Sequence, residues 1–153
     1  MNRNKSMFHL SHIPLEQLDL REGFNSSQAG AFCSFEGWVR DHDEEGKKVI
    51  GLEYEVFEAL CRKEAGEIFK EIKKIFDVLD VKAFHRVGKL KVGEMAVWIG
   101  VLAAHRDAAF KACRYLIDEI KNRLPIWKKE HYFNGSSGWI GCSSFLISKK
   151  VSV

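Results

Sequence analysis

Apolar and polar positions along the chain change their period several times, and each change predicts an element. Residues 30–40 (GAFCSFEGWVR) crowd aromatic and small side chains together, which predicts a strand. The charged run DHDEEGKK follows as an exposed, mobile loop. Residues 48–57 (KVIGLEYEVF) alternate, predicting a second strand in a long-looped hairpin with the first. From Ala65 the period lengthens: Ile68, Phe69, Ile72, Ile75, Phe76 and Leu79 recur at three- and four-residue steps, with Lys and Glu opposite. That is the stripe of an amphipathic helix. Residues 81–90 and 94–104 predict two strands joined around Val92-Gly93. A second helix carries Ala109, Cys113, Leu116, Ile117 and Ile120 along one face. Pro125 ends it, because the residue before a proline is pushed out of the helical region. Residues 126–133 and 138–144 predict a last hairpin around NGSSG. The order of elements predicts an α+β fold, a largely antiparallel sheet with two main helices. With no repeat, low-complexity tract or linker, the chain reads as one domain over residues 1–153.

Composition narrows the class. At 46% hydrophobic and 29% charged residues over 153 positions, the chain is long and apolar enough for a real core without metal or disulfide staples. A net charge of +3 is mild, so specificity for an anion must come from local placement rather than from a global field. Cys33, Cys61, Cys113 and Cys142 show no C-x-x-C pair and no histidines at zinc-finger spacing. They read as free, mostly buried thiols in a reducing compartment. MNRNKSMFHL has no long apolar core of a signal peptide. The longest apolar run, MAVWIGVLAA, is half of what a membrane helix needs. These features predict a soluble, cytoplasmic protein.

Three cationic clusters bear on chemistry. Arg40 sits in WVRDH at a strand end, and His105-Arg106 at the junction of a buried strand with the second helix. The third is KNRLPIWKKE, with Lys121 in the last helical turn and Lys128-Lys129 beyond the proline. Each has a plain structural reading. Arg40 can end a strand paired with Asp41 or Glu36, and Lys121 and Arg123 suit a helix C-terminus. His105-Arg106 fits that logic less well, since cations oppose the dipole at a helix start. Backbone N–H groups there attract anions, and an added Arg and His make a phosphate or carboxylate site. Lys121 follows Ile117 by one turn at the edge of the apolar stripe, where its amine can reach a pocket rim. A lysine held among cations and partly out of water can act as nucleophile or proton carrier. No P-loop, nucleophile elbow or dinucleotide fingerprint occurs. His85, His105 and His131 are too dispersed for a metal site, and His85 reads as a satisfied strand histidine. The Trp and Phe residues mostly read as core-facing.

Taken together, GAFCSFEGWVRDH, LEYEVF, HRVGKLKVGEMAVWIGVLAAHRDAAFKAC and KNRLPIWKKE resemble the large, catalytic subunit of molybdopterin synthase, the MoaE family. The resemblance spans roughly residues 28–140, with the order and spacing of every block preserved. It implies an α/β hammerhead-type fold and a homodimer flanked by two small ubiquitin-like sulfur carriers, making a heterotetramer. It also implies a sulfurtransferase that needs no cofactor and no metal. Sulfur would pass from the carrier's C-terminal Gly-Gly thiocarboxylate to cyclic pyranopterin monophosphate, and two transfers build the molybdopterin dithiolene. By similarity, Lys121 is the essential lysine beside the thiocarboxylate and Lys128 supports it. Arg40, His105 and Arg106 would hold the substrate's phosphate and pterin, the last two across the dimer interface. Phe35 and Pro125-Ile126-Trp127 would shape the walls.

One departure from the family is the tail WIGCSSFLIS, which has no cation between Trp139 and Lys149 where a basic residue is expected. Another is Ile117, where some relatives carry methionine, a change that conserves volume. Two other classes compete with the enzyme. A non-catalytic anion- or nucleic-acid-binding module would use the same cations, with a steep salt dependence and no carrier. A catalytically dead scaffold would keep the carrier alone. Mild net charge and cations gathered at element ends weigh against nucleic acid, and retention of all five polar site residues weighs against the scaffold.

Overall fold

The computed structural model describes residues 7–141. Its elements run β1 (Phe8–Ser11), a 3-10 turn (Leu15–Gln17), β2 (Ala31–Trp38), β3 (Val49–Val56), α1 (Glu58–Ile75) and β4 (Asp80–Arg86). Then come β5 (Gly88–Lys91), β6 (Met95–Ala103), α2 (Arg106–Arg123), β7 (Ile126–Tyr132) and β8 (Ser137–Gly141). The strands form two four-stranded sheets, β1-β4-β6-β2 and β5-β3-β7-β8. Among the described residues only β1 with β4 is parallel; every other ladder is antiparallel. The fold is α+β, as the pattern predicts.

Every residue of β6 is buried, which explains why its sequence is continuously apolar rather than alternating. Helix α2 buries Ala109, Ala112, Cys113, Leu116, Ile117 and Ile120. It stops at Leu124, whose extended backbone is the one Pro125 demands. One core draws on both sheets and both helices: Leu52, Ile68, Ile72, Val81, Val97, Ile99, Leu116 and Ile126 all belong to it. Between β5 and β6 the chain turns at Gly93, with φ of +88°, a conformation that costs glycine little. At Gly100 an added Cβ would lie 2.4 Å from Trp98 Cη2 and 2.9 Å from Phe32 Cζ, so the bare backbone makes room for those rings.

Several expectations need correction. β2 and β3 are not a hairpin: β2 pairs with β6 and β3 with β5 and β7, and the intervening loop closes on itself through an isolated His42–Lys48 bridge and local hydrogen bonds. Local alternation predicts a strand but says nothing of its partner. That loop is exposed, and Asp43 Oδ1 folds it by accepting hydrogen bonds from the backbone N–H of Glu45 (2.9 Å) and Lys47 (2.8 Å). Residues 81–90 are two strands, interrupted at Val87 and belonging to different sheets. Helix α1 starts at Glu58 rather than Ala65. Cys61 and Ala65 continue its buried stripe, but as small residues among Arg62, Lys63 and Glu64 they signal burial weakly. Ile75 is exposed, Phe76 caps the helix and Leu79 lies past its end. β1 and the 3-10 turn were not legible. Most of the described Trp and Phe residues are buried or half-buried, but Phe35, Trp38, Phe57, Phe110 and Phe133 are exposed. The last hairpin is present as β7–β8, while residues 142–144 and Cys142 lie outside the described residues.

Cys33, Cys61 and Cys113 are free, and burial pushes the Cys61 and Cys113 thiols up to about 12. Among the described residues no helix is long and apolar enough to cross a membrane.

Candidate functional site

The period of two along β7 decides what the strand offers. Ile126, Lys128, Glu130 and Tyr132 share the inward face, alternating with Trp127, Lys129 and His131. In the ladder with β3, Lys128 stands opposite Tyr54. β4 of the other sheet brings in His85, which follows Val81 and Ala83 on its buried face. Where the two sheets and the last turns of α2 converge, they leave a narrow slot of about 90 Å³. Tyr54, His85 and Val97 line it from the sheets, Ile117 and Ile120 from α2, and Lys121 and Lys128 are its cations. Lys121 and Lys128 also border a wider basin of about 480 Å³ that reaches Arg40.

The two lysines are held differently. Lys128 Nζ lies 3.4 Å from Glu130 Oε1, and that carboxylate is 5% exposed. Its second oxygen accepts a 2.6 Å hydrogen bond from the Tyr132 hydroxyl, which raises the phenol's pKa above its ordinary value. Lys128 is thus fixed by a buried carboxylate that is itself fixed. Lys121 makes no ion pair among the described residues. Its helical neighbour Arg123 is used structurally instead, at 2.6 Å from Glu71, 3.4 Å from Glu119 and 3.6 Å from Glu64, clamping α2 to α1. The hydrogen bond from Arg123, with a second from Tyr115, holds the Glu71 carboxyl below its usual range. The helix-end explanation therefore suits Arg123, and Lys121 is left over for the slot.

His85 is 7% exposed, and its Nδ1 lies 2.8 Å from the carbonyl oxygen of Arg86. A carbonyl accepts only, so Nδ1 carries the proton and Nε2 does not. Burial, reinforced by the positive charge of Lys121 and opposed by the Arg86 bond, pulls its pKa down to about 4. Tyr54 packs edge-on against the ring, centroids 4.9 Å apart. The adjoining Arg86 is buried, with its guanidinium 3.2 Å from Glu94 Oε2 and 3.0 Å from the Lys89 carbonyl.

Of the residues singled out from sequence, the fold brings Arg40, Lys121 and Lys128 around one basin. Arg40 does not pair with Asp41, which bonds His42 Nδ1 at 2.8 Å. The far side of the basin is acidic, with Asp43, Glu44 and Glu45, so its anion-binding corner is the one formed by the three cations. Phe35 lies on a neighbouring apolar groove with Phe110, Cys113 and Ile117, whose rim is again Lys121. His105 and Arg106 are not brought in. His105 caps the N-terminus of α2 and Arg106 is its first residue, both exposed, some 22 Å along the helix from Lys121 at 1.5 Å per residue. Sequence reasoning missed Glu130, Tyr54 and the free side of His85. The alternation of β7 puts Glu130 on the face of Lys128, a signal that was present; the proximity of His85 and Tyr54 to Lys121 exists only in the tertiary fold. Among the described residues no cluster of three or more His, Cys, Asp or Glu could hold a metal.

Two sheets that meet at a slot rimmed by Lys121 and Lys128 are the features to compare with known proteins. The family model described as MoaE protein matches residues 10–123. The chain belongs to the MoaE family. It is 43% identical over 138 residues to a protein of Synechococcus elongatus named molybdopterin synthase catalytic subunit, covering 90% of this chain and 83% of the relative. Its fold matches the crystal structure of molybdopterin synthase from Staphylococcus aureus with a TM-score of 0.81 and 33% identity, over 90% of this chain and 99% of the other. A Helicobacter pylori chain, solved as a complex of subunits 1 and 2 of molybdopterin-converting factor, shares the fold at a TM-score of 0.66 and 24% identity, over 90% and 91% of the two chains.

Proposed function

We propose that this chain is the catalytic subunit of a molybdopterin synthase, acting in the cytoplasm as a sulfurtransferase. Sulfur passes from the C-terminal Gly-Gly thiocarboxylate of a small carrier subunit to cyclic pyranopterin monophosphate. The observation that carries this reading is the convergence of Lys121 from α2 and Lys128 from β7 on one narrow slot that opens into a basin bordered by Arg40. A slot of about 90 Å³ suits a tail of glycines, which has no side chains to house, and the basin has room for a larger anion.

The chemistry asks little of this chain beyond position and charge. Sulfur arrives on the partner's tail, so no cysteine nucleophile is needed, and the buried Cys61 and Cys113 thiols are poor ones at neutral pH. Lys121 and Lys128 flank the thiocarboxylate and stabilise the anion left when sulfur departs. Arg40 clamps the cyclic phosphate. Because His105 and Arg106 lie far from Lys121 along the helix, they serve the site of a second copy in a homodimer. The two-subunit Helicobacter complex supports a small partner docking on this fold. The acidic side of the basin disfavours the nucleic-acid alternative, since a polyphosphate backbone would have to run past Asp43, Glu44 and Glu45.

The deciding experiment mixes the chain with thiocarboxylated carrier and cyclic pyranopterin monophosphate and measures molybdopterin, with Lys121→Ala alongside. Product from the wild type and at least a hundredfold less from the folded, carrier-binding variant is expected, the scale set by losing one aimed charge at a reacting centre. Equal product from both would demote Lys121 to positioning; carrier binding without product from either would make the chain a scaffold.

A further inference from the structure

The slot contains one polar group that the reaction as proposed leaves unused. His85 is more than nine-tenths buried in its wall, and its ring is locked by the Nδ1–H bond to the Arg86 carbonyl. Among the described residues Nε2 has no hydrogen-bond partner, yet it is not sealed off: the buried unpartnered side-chain atom of this region is Arg86 Nε. The ring therefore presents a bare lone pair to the cavity. Burial and the neighbouring Lys121 charge keep the imidazole neutral at physiological pH, so Nε2 acts there only as an acceptor. Lys121, which lines the same slot, acts on it through its charge.

An acceptor in so narrow a cavity selects an occupant that brings a donor. On the reading above, the occupant is an extended glycine tail whose anionic end belongs to Lys121 and Lys128. Such a tail has no side-chain donors; its peptide N–H groups are all it can offer. Enclosed in the slot, an N–H without a partner would cost the full desolvation of that group, and so would Nε2. We infer that His85 Nε2 accepts a hydrogen bond from a peptide N–H within the last two residues of the carrier tail, setting the tail's register so that its terminal carbon stops between the two lysines. This inference rests on that reading of the slot. His85 is a positioning and specificity residue: it touches the tail and leaves the reacting atoms to the lysines.

The test exchanges each of the carrier's last two amides, one at a time, for an ester by semisynthesis. An ester keeps the shape and removes the N–H donor. Affinity of each carrier is measured by titration calorimetry for the wild type and for His85→Asn, whose amide can still donate to the Arg86 carbonyl but has no atom at the Nε2 position. One of the two esters is expected to bind the wild type about tenfold more weakly, with the penalty absent in His85→Asn. A penalty equal in both proteins, or no penalty at either amide, overturns the inference. Should His85→Asn not fold, the ¹⁵N resonance of Nε2 in the wild type decides: carrier binding moves it upfield if it accepts a hydrogen bond, and an unmoved resonance overturns the inference. If the all-amide carrier binds the wild type and only the ester and resonance tests fail, the slot reading survives without His85. If that carrier does not bind at all, both fall.

Discussion

A buried neutral histidine makes stability depend on pH in a window where few other groups titrate. In the unfolded chain His85 has an ordinary pKa near 6.5, and in the folded protein it is about 4. Below pH 6.5 the unfolded state therefore binds a proton that the native state refuses, and stability falls as pH falls, levelling off near pH 4. At 1.36 kcal/mol per pKa unit the whole window is worth roughly 3 kcal/mol, and about 2 kcal/mol of it is lost between pH 7 and pH 5. Against a typical total of about 5–15 kcal/mol that is easily measured. Lowered carboxylates such as Glu71 lose their contribution only at more acidic pH, so they do not obscure the effect. The groups around the ring are Lys121, Arg86 with its partner Glu94, and Tyr54. Urea unfolding followed by tryptophan fluorescence at pH 7, 6 and 5 is the assay, with His85→Gln as the non-titrating reference. The wild type should lose about 2 kcal/mol more than the reference over this range. Parallel pH dependences, or an NMR titration of His85 near its ordinary value, would refute the burial argument.

Glu130→Gln removes the charge that anchors Lys128 while keeping the shape. Because Lys128 is partly solvated and can rehydrate, the stability cost should be about 1–2 kcal/mol, below that of a fully buried pair, whereas molybdopterin formation should fall tenfold or more as Lys128 loses its place. Unchanged turnover in the folded variant would dissociate Glu130 from the site. Gly100→Ala drives a methyl into Trp98, itself 4% exposed, and should cost about 2 kcal/mol in denaturant unfolding; a neutral result would mean that the Trp98–Phe32 packing yields more readily than the geometry implies.

How much of this was legible in the chain depended on whether the signal was local. Helix α2 could be read because large aliphatics mark its buried face and Pro125 marks its end. The first turns of α1 could not, since Phe57 is no side-chain cap and the buried residues there are Cys61 and Ala65. Strand positions followed from alternation, but strand partners did not, and β2 and β3 were assigned to each other across a loop that in fact separates two sheets. The same limit applies to the site. That Lys121 and Lys128 share a pocket is implied by the family resemblance, not by their spacing around Pro125. His85 was read as a satisfied strand histidine, which is true of Nδ1 and not of Nε2, and only the packing of the other sheet distinguishes the two. Glu130 is the only anion in KNRLPIWKKE, and its role as the partner of Lys128 follows from the shared face of β7.

The pairing of β3 with β7 has a consequence for how the protein is made. As the chain emerges from the ribosome, β3 appears early and its central partner much later, after two helices and three further strands. Until then β3 has one long edge open, and its neighbour β5 spans only Gly88–Lys91. Non-local pairing of this kind is slow and leaves an unpaired edge available for intermolecular association. Ile50, Glu53 and Glu55 lie along that strand, two acids among its apolar residues, where like charges would repel a second nascent copy. Arrival of Ile126–Tyr132 closes the edge and, in the same event, delivers Lys128 to the slot. Pairing of β3 with β7 and assembly of the two-lysine slot are then a single step, which a chain not yet extended through β7 cannot take.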